Sequence, residues 1–318
     1  MTRVVYEKEW TSVEQQIERL ESRGLVVEDR EQLAHAIQAI GYYRLTGYTY
    51  PFRTSSGGVV EDTFREGTHQ SQVLALYDFD RRLKLTVMDA IERMEIGFRF
   101  SVAYTLGKRD RYGHLHRSSL DRSFTRRQVA GGAYDDWHIK YLGDVKQSKE
   151  EFVQHFRRKY DGGLPIWMAV ELMSLARLSR LYGGLTYSDR EQIARRFGIS
   201  KPGTVASWLH CLTYVRNVCA HHARLWNRNM DRRPAVPPRG DDRDFDHLVA
   251  SGAVVHGQSR IYAPLLALRH LLRPIERNPD WELSMIDLLA QFPVGGPVSY
   301  EAMGFPSGWR ELWPDSDS

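Results

Sequence analysis

The chain has 318 residues, of which 42% are hydrophobic and 26% are charged, and its formal net charge is +4 at pH 7. This composition is ordinary for a globular protein in water, and no apolar run approaches the ~20 residues of a membrane span. The first ten residues, MTRVVYEKEW, lack the hydrophobic segment of a signal peptide, so we expect a cytoplasmic protein that does not enter the membrane.

The N-terminal region, residues 1–66, is predicted to be small, helical and rich in aromatic residues. Apolar side chains recur at helical spacing over Ser12 to Arg23 and over Asp29 to Ile40, and Gly24 separates these two helices. Gly41 to Phe52 carries four tyrosines. Exposed rings there would stack on bases, but aromatic-rich turns more often pack, and we favour packing. Ser55 to Gly58 predicts a hairpin turn.

The longest helical pattern runs from Thr68 to Leu106. Gly97 either bends this helix or lets a neighbour pack closely against it. Glu92, Glu95 and Arg99 share one face at i, i+3 and i+7, which suits an internal ion pair. The apolar stripe consists of Val73, Leu76, Tyr77, Leu83, Val87, Ile91, Met94, Phe98 and Val102.

The next stretch, Lys108 to Gln128, is strongly basic and has little apolar pattern. It is a candidate RNA-contacting loop, an exposed insertion or a contact between copies of the chain. Glu150 to Tyr160 then predicts a short helix, and Leu164 to Tyr182 predicts a mostly apolar helix at the centre of a bundle. Glu171 on such a buried helix requires a cationic partner, for which an arginine of the Arg216 helix is the candidate.

Ser188 to Leu209 resembles a helix-turn-helix, which would indicate a DNA-binding protein. Its second helix, however, begins at Thr204 and becomes apolar by Trp208. A recognition helix presents polar side chains early. We therefore rank DNA binding below the interpretations that follow.

Thr204 to Arg228, TVASWLHCLTYVRNVCAHHARLWNR, is predicted to be one amphipathic helix of about seven turns. Its polar face has no Glu, Asp, Lys, Gln or Ser after Arg216, and its guanidinium, amide and imidazole groups bind phosphate and transfer protons. His221 lies on this face, whereas His222 falls on the apolar side and is predicted to be packed and hydrogen-bonded. The polar face consists of Arg216, Asn217, His221, Arg224, Asn227 and Arg228.

A metal site is a third interpretation of the same stretch. His210, Cys211, Cys219, His221 and His222 are potential ligands, but they do not form two close-spaced pairs, and helical geometry scatters them. The cysteines are the only two in the chain and would lie about 12 Å apart on a helix, too far for a disulfide. We therefore expect no metal and no cofactor.

The C-terminal part begins with a Pro- and charge-rich loop, Asp231 to Asp246, and continues with helices over Arg260 to Arg273 and Trp281 to Gln291. Aromatic residues are expected to attach the tail, residues 293–318, to the body. Helical periodicity in every long segment predicts an all-α protein. Its core is expected to include the helices around Leu83, Trp167 and Val215. The aromatic residues of the tail are Phe305, Trp309 and Trp313.

The segment from Arg216 to His221 looks like the Arg-x4-6-His motif of the HEPN superfamily of helical ribonucleases, and the longer string RNVCAHHARLWNR resembles its Abi-like (abortive infection) branch. Further matching pieces follow the family order. The resemblance implies a HEPN-like helical bundle over residues 67–292. The further pieces are GYYRLTGYTYPFR, YDFDRRLK, ERMEIGFRFSVAYTLG, PIWMAVELMSLARLSRLYGGL, IYAPLLALRHLL and MGFPSGW.

The resemblance implies a ribonuclease site, and the chemistry of these side chains suits that reaction. RNA carries its own nucleophile, the 2′-OH, so no metal is needed. His221 suits proton transfer and Arg216 suits stabilisation of negative charge on phosphorus, with Asn217 placed to position the phosphate. The expected RNA-binding residues are Arg224, Asn227 and Arg228, and the expected supporting residues are His222, Glu95, Arg99 and Glu171.

The resemblance also implies partners: RNA, a second copy of the chain in a homodimer with a composite site, and an inhibitory antitoxin or non-coding RNA in a phage-defence system. Eight of the 44 basic residues are Lys, which leaves 36 Arg, and nucleic-acid binding or a GC-rich genome explains this excess equally well. The main alternative is a HEPN-like module that binds RNA or a partner without cleaving.

Overall fold

The computed structural model describes residues 9–126, 131–238, 240, 242–250, 258–276 and 280–313. Helices make up 64% of the structure, so the predicted all-α class is confirmed. The strands are β1 (Arg53–Ser56) and β2 (Val59–Phe64). The helices are α1 (Val13–Ser22), α2 (Arg30–Ile40), α3 (Tyr42–Thr49), α4 (Gln70–Arg109), α5 (Arg122–Thr125), α6 (Ala133–Gln147), α7 (Glu151–Lys159), α8 (Ile166–Ala169), α9 (Leu175–Gly184), α10 (Tyr187–Arg196), α11 (Pro202–Ala220), α12 (Arg243–Ala250), α13 (Tyr262–Leu272), α14 (Asp280–Ala290) and α15 (Trp309–Leu312).

The described residues fall into two compact units, and the predicted division of the chain into three parts stays a prediction. The first unit comprises the chain up to Leu83 together with 287–300, and the second comprises 84–286 and 301–318. Parts of several predicted segments lie outside the described residues. These parts are residues 1–8 of the N-terminal region, 127 and 128 of the basic segment, 239 and 241 of the proline-rich loop, and 314–318 of the tail.

In the first unit, α1 and α2 begin and end as their sequences predict. Ser12 caps α1 in a capping box with Gln15, and Asp29 caps α2 through the backbone N–H of Gln32. The tyrosine-rich stretch forms a helix, α3, rather than turns. Tyr48 on α3 is buried and donates a hydrogen bond to Asp80 Oδ2 at 2.6 Å.

The hairpin of the first unit also matches its prediction. Ser56 pairs with Val59 in the antiparallel register of β1 and β2, and Gly57 and Gly58 form the turn with φ values of +57° and +81°. A two-residue turn with both φ values positive matches the twist of the flanking strands, and glycine adopts it without steric cost.

In the second unit, the part of α4 after Leu83 buries its apolar stripe, including Val87, Met94 and Phe98. Gly97 allows close packing, because a Cβ added there would lie 2.6 Å from Ile275 Cδ1. α11 is largely buried and packs against α9, α10 and α13.

The prediction of one helix from Leu164 to Tyr182 is wrong. The chain forms α8, a 3₁₀ turn over Val170–Leu172, and then α9, whose first turn Ser174 caps. The helices around Leu83, Trp167 and Val215 all contribute buried residues, as predicted, since Leu83, Val215 and the α8 residues Ile166 and Ala169 are fully buried. The side chain of Trp167 itself is exposed. Arg99 on α4 donates hydrogen bonds to carbonyl groups that the break leaves without helical partners.

The packing of α11 bears on the helix-turn-helix interpretation. Thr204, Val205 and Trp208, on the first turns of this helix, are buried in the second unit. A recognition helix would need these positions to face the major groove. The geometry therefore gives no support to DNA binding through α11.

Candidate functional site

The candidate site lies at the C-terminal end of α11, and this helix ends earlier than predicted. The helix stops at Ala220, with His221 as its C-cap, instead of continuing to Arg228. The N–H of His222 donates to the carbonyl of Cys219 at 2.9 Å, and the N–H of Ala223 donates to that of Val218 at 3.0 Å. This pair of hydrogen bonds is a Schellman motif, which requires a left-handed residue at the first position after the cap.

His222 is that left-handed residue, with φ of +56°, and it is the only non-glycine residue with positive φ in the part of the chain that the structure describes. Left-handed backbone brings Cβ close to the carbonyl oxygen and is therefore unfavourable for most residues. Glycine, which has no Cβ, adopts it readily, and Asn and Asp adopt it occasionally. Backbone strain of this kind is concentrated at functional sites.

The prediction that His222 is packed is wrong: both His221 and His222 are exposed. The helical wheel assigned His222 to the apolar side because it continued the helix beyond Ala220. Since the chain leaves the helix there, both side chains lie at the surface. The site therefore offers two candidate proton-transfer groups where the sequence predicted one.

Arg216 and Asn217 lie on the last turns of α11, and both are exposed. Arg216 Nη1 lies 3.5 Å from Asn217 Oδ1. Among the described residues, Arg216 has no carboxylate within ion-pair distance. A guanidinium without an internal counter-charge is available to an anion from outside.

The segment after α11 returns to the helix and is fixed there. Arg228 Nε donates to Tyr214 Oη at 2.8 Å, and its guanidinium lies 5.8 Å from the centre of that ring. The backbone carbonyl of Asn227 accepts a hydrogen bond from Arg260. Arg228, Asn227 and Arg224 are half-buried, so the three predicted RNA-binding residues are less accessible than Arg216.

Tyr214 holds this segment against α11, and the sequence did not single it out. It lies two residues before Arg216 on α11, and its hydroxyl holds Arg228. The signal was present, because a tyrosine on the half-buried edge of an apolar helix needs a partner for its hydroxyl group. Its partner, however, follows a helix end that the sequence placed incorrectly.

A groove of about 510 Å³ connects α11 with α4, and it contains the supporting residues predicted on α4. Glu95 and Arg99 line it together with Arg216. Arg99 Nη2 lies 2.6 Å from Glu95 Oε1, which is the ion pair predicted on this face. Glu92 also lines the groove and makes no ion pair among the described residues.

Arg99 also closes the break between α8 and α9. Its Nη2 donates to the carbonyl of Met173 at 2.9 Å, and its Nη1 lies 3.4 Å from the carbonyl of Glu171 and 3.3 Å from Oε2 of the same residue. Glu171 is thus exposed and paired with Arg99 on α4. The prediction that it is buried and paired with an arginine of α11 is wrong, because the helix that was to bury it is interrupted.

Much of the basic segment after α4 serves the fold. Arg109 bonds Asp189 Oδ2 at 2.7 Å and the carbonyl of Ser119, and Arg117 pairs with Asp135. The remaining described basic residues of this segment are exposed, so a contact with RNA there stays a prediction. These exposed residues are Lys108, Arg111, Arg122 and Arg126.

The cysteines of α11 are structural. Cys211 and Cys219 are free and buried, and burial raises the pKa of the Cys211 thiol to about 12. A free thiol with such a pKa is a poor nucleophile near neutral pH, because little of it is thiolate.

Comparisons with known proteins agree with part of the predicted assignment. None of the helices in the described residues has the length and apolarity that a membrane-spanning helix requires. Curated proteins and solved structures give no significant match. A family model described as Abi-like protein matches residues 35–227, more than half of the chain, including α4 and α11 with Arg216 and His221. The chain therefore belongs to the Abi-like family.

Proposed function

We propose that this protein is a metal-independent endoribonuclease that acts as the effector of a bacterial phage-defence system. Membership of the Abi-like family suggests abortive infection, and the site suggests the chemistry. The observation that carries the proposal is the end of α11. There the chain holds His222 in a left-handed conformation, and both Arg216 on the last turns of the helix and His221 at its C-cap are exposed. Arg216 has no carboxylate partner among the described residues.

The reaction needs a base, an acid and a group that stabilises negative charge. A base removes the proton of the 2′-OH, the 2′-oxygen forms a bond to phosphorus, and the bond from phosphorus to the 5′-oxygen breaks. An acid protonates the leaving 5′-oxygen, so the products are a 2′,3′-cyclic phosphate and a 5′-hydroxyl. Imidazole serves as acid or base near neutral pH, and guanidinium stabilises the charge on the phosphoryl oxygens.

We assign proton transfer to His221 and charge stabilisation to Arg216. Asn217, beside Arg216, orients the phosphate. His222 supports His221 from the next position. On α4, Arg99 is held by Glu95 and by Glu171, and Glu95 and Arg99 shape the wall of the groove that Arg216 lines.

Phosphate contacts outside the reacting group fall to Arg228, with Arg224 and Asn227 in the same segment. Tyr214 holds the Arg228 guanidinium in a fixed position, which lowers the conformational entropy that binding would otherwise cost.

The homodimer and the inhibitor belong to the same proposal. Two copies of the exposed end of α11 facing each other would form a composite site. Mixing Arg216→Ala protein with His221→Ala protein tests this, because a mixed dimer with shared sites regains one intact pair of Arg216 and His221. Activity that stays absent in the mixture, or full activity in a strict monomer by light scattering, contradicts the composite site.

The central test uses purified protein, freed of bound RNA or antitoxin, with total RNA in EDTA. We expect cleavage with cyclic-phosphate ends and expect DNA of the same sequence to survive, because it lacks the 2′-OH. His221→Ala should slow cleavage by about 10²–10⁴-fold. His222→Ala is the matched control, since it removes the neighbouring imidazole and is expected to have the smaller effect.

Expression of the wild type should also slow growth of a bacterial host, and His221→Ala should relieve this. Cleavage that is lost in EDTA and restored by magnesium contradicts the mechanism. RNA that stays intact with wild-type protein, but is bound by it, supports the non-catalytic binding module instead.

A further inference from the structure

The outward face of α4 carries apolar side chains where a surface helix normally carries polar ones. Ile96, Phe100 and Tyr104 follow each other at i, i+4 and i+8 and are 58%, 53% and 60% exposed. They point away from the stripe that includes Phe98, which is fully buried in the second unit. A contiguous exposed patch of this kind marks a binding surface.

Two aromatic rings of this patch and one from α8 line a single groove of about 440 Å³, which we call the aromatic groove. The rings of Phe100 and Tyr104 are nearly parallel, with an angle of 20° and centroids 5.6 Å apart. Trp167 lines the same groove and is 52% exposed. Gly107 lets Trp167 approach α4, since a Cβ at that position would lie 3.3 Å from Trp167 Cε3.

Cationic groups border these rings. The guanidinium carbon of Arg196 lies 4.7 Å from the centre of the Phe100 ring, and the exposed side chain of Lys108 lines the groove. Ile96, one helical turn before Phe100, also lines the groove that contains Arg99 and Arg216. The aromatic groove therefore adjoins the candidate site.

The groove that contains Arg99 and Arg216 also has carboxylates, but most of them are neutralised by arginines. Asp89 is paired with Arg93 at 3.0 Å, and Glu95 is paired with Arg99. Glu92 is the remaining carboxylate that lines it. Cations thus border the exposed rings. Proteins bind single-stranded nucleic acid with this combination, because bases stack on ring faces and cations follow the phosphates.

We infer that the aromatic groove binds unpaired bases of the RNA next to the cleaved phosphate, which makes single-stranded RNA the substrate. Phe100, Tyr104 and Trp167 stack on the bases, and Arg196 and Lys108 contact the backbone. This inference rests on the proposed function for the identity of the ligand. A second copy of the chain fits the groove less well, because its own Arg196 and Lys108 would meet the same cations across a two-fold axis.

The test measures binding separately from cleavage. His221→Ala protein is titrated in EDTA into labelled single-stranded RNA, and fluorescence anisotropy gives the Kd. Tyr104→Ala and Trp167→Ala are added to this background. Each should weaken binding about tenfold, because stacking of one base contributes about that much. Tyr104→Phe keeps a ring and should bind as the background protein does.

Two controls make the result specific. Tyr187 on α10 is also 60% exposed but does not line the groove, so Tyr187→Ala should leave the Kd unchanged. An abasic strand of the same length should bind the background protein and Tyr104→Ala equally, since it offers phosphates without bases. Binding of a blunt-ended RNA duplex, which offers no unpaired bases, should also be insensitive to Tyr104→Ala.

Equal binding of single-stranded RNA by the background protein, Tyr104→Ala and Trp167→Ala overturns the inference. So does a loss of dimer in light scattering without a loss of RNA affinity, which would identify the groove as an interface between copies. If wild-type protein binds RNA through these rings but never cleaves it, this inference stands and the proposed nuclease activity is wrong. If RNA is cleaved equally well by wild type, Tyr104→Ala and Trp167→Ala, the nuclease activity stands and this inference is wrong.

Discussion

The ends of α10 and α11 are built by the same hydrogen bonds from different residues. At the end of α10, the N–H of Gly198 donates to the carbonyl of Arg195 and that of Ile199 donates to the carbonyl of Ala194, both at 3.0 Å. Gly198 is the left-handed residue, with φ of +69°, and His222 takes this position after α11. Gly198 adopts the left-handed conformation without steric cost, whereas His222 adopts it at a cost because it has a Cβ.

The two helix ends also differ in burial, because the end of α10 is packed inside the protein and the end of α11 is exposed. His270 Nε2 lies 2.7 Å from the carbonyl of Phe197, the C-cap of α10, and His270 Nδ1 lies 2.7 Å from the buried carboxylate of Asp242. The end of α10 is thus fixed inside the second unit, whereas His221 and His222 are exposed. The first end is therefore part of the packed interior, and the proposed function assigns the second, exposed end to a ligand.

The largest effect should come from Arg216, on the last turns of α11. Arg216→Ala should slow RNA cleavage by about 10²–10³-fold, the usual loss when a charge-stabilising donor is removed. Its free energy of unfolding should change by less than about 0.5 kcal/mol, because the side chain is exposed. Single-turnover cleavage and urea denaturation measure the two effects.

Two variants control this prediction. Arg195→Ala changes an arginine of the last turn of α10 whose side chain is 71% exposed, and it should alter neither quantity. Arg216→Lys should restore only part of the activity, because a point charge replaces a planar fork. Equal losses for Arg195→Ala and Arg216→Ala would remove the distinction between the two helix ends.

The next effect concerns the support of α10 and its pH dependence. Burial opposes ionisation of Asp242, but the His270 side chain and neighbouring positive charge lower its pKa in the folded protein overall. A lowered folded-state pKa stabilises the fold above the unfolded-state value of about 3.9, and this stabilisation is lost as the pH falls from there through the lowered value.

Asp242→Asn should therefore lower the free energy of unfolding at pH 7 by about 1.5–3 kcal/mol, the usual contribution of a hydrogen bond to a charged group. The loss should shrink as the pH falls below about 4. Denaturant titrations at several pH values measure this. Cleavage per folded molecule should be unchanged, and a specific loss of cleavage would tie the end of α10 to the site.

A smaller effect is expected for Gly198→Ala. A methyl group has room there, since the nearest heavy atom would lie 4.0 Å away, so the cost comes from the left-handed backbone. That cost is about 1–2 kcal/mol in the free energy of unfolding. Thermal and urea denaturation measure it. An unchanged free energy of unfolding would show that the end of α10 rearranges to accommodate alanine. Gly198 would then no longer serve as the standard for the left-handed position that His222 occupies.

The smallest effect is the inverse substitution, His222→Gly. Removing the left-handed histidine should raise the free energy of unfolding by about 0.5–1 kcal/mol, since glycine takes this conformation at lower cost. Cleavage should fall in the same protein. A variant that is more stable and less active separates a functional residue from a structural one, whereas loss of both would mean that the imidazole holds the helix end together.

How far the sequence predicted the structure depends on whether the signal was local. α1 and α2 are capped by Ser12 and Asp29 as expected, because N-caps act within three residues. The break before α9 was missed because Arg99, 72 positions before Glu171, takes the open carbonyl groups. No local pattern reports a partner at that distance.

The site was predicted in part for the same reason. Arg216, Asn217 and His221 are named by their sequence motif, and the structure brings Arg216 to one groove with Arg99. The orientation of His222 depended on where α11 ends, and the usual signal for a helix end, glycine, is absent there. The aromatic groove was missed because Phe100 and Tyr104 on α4 were outside the stripe that periodicity selects.

The exposure of Trp167 has a practical consequence for spectroscopy. Of the eight tryptophans in the chain, only Trp10 and Trp167 have large exposed fractions, and the other six are buried. After Trp10→Phe, an aqueous quencher such as iodide should reach the emission of Trp167 almost alone. Shielding of this emission on adding an oligonucleotide then reports occupancy of the aromatic groove optically, without any label on protein or RNA.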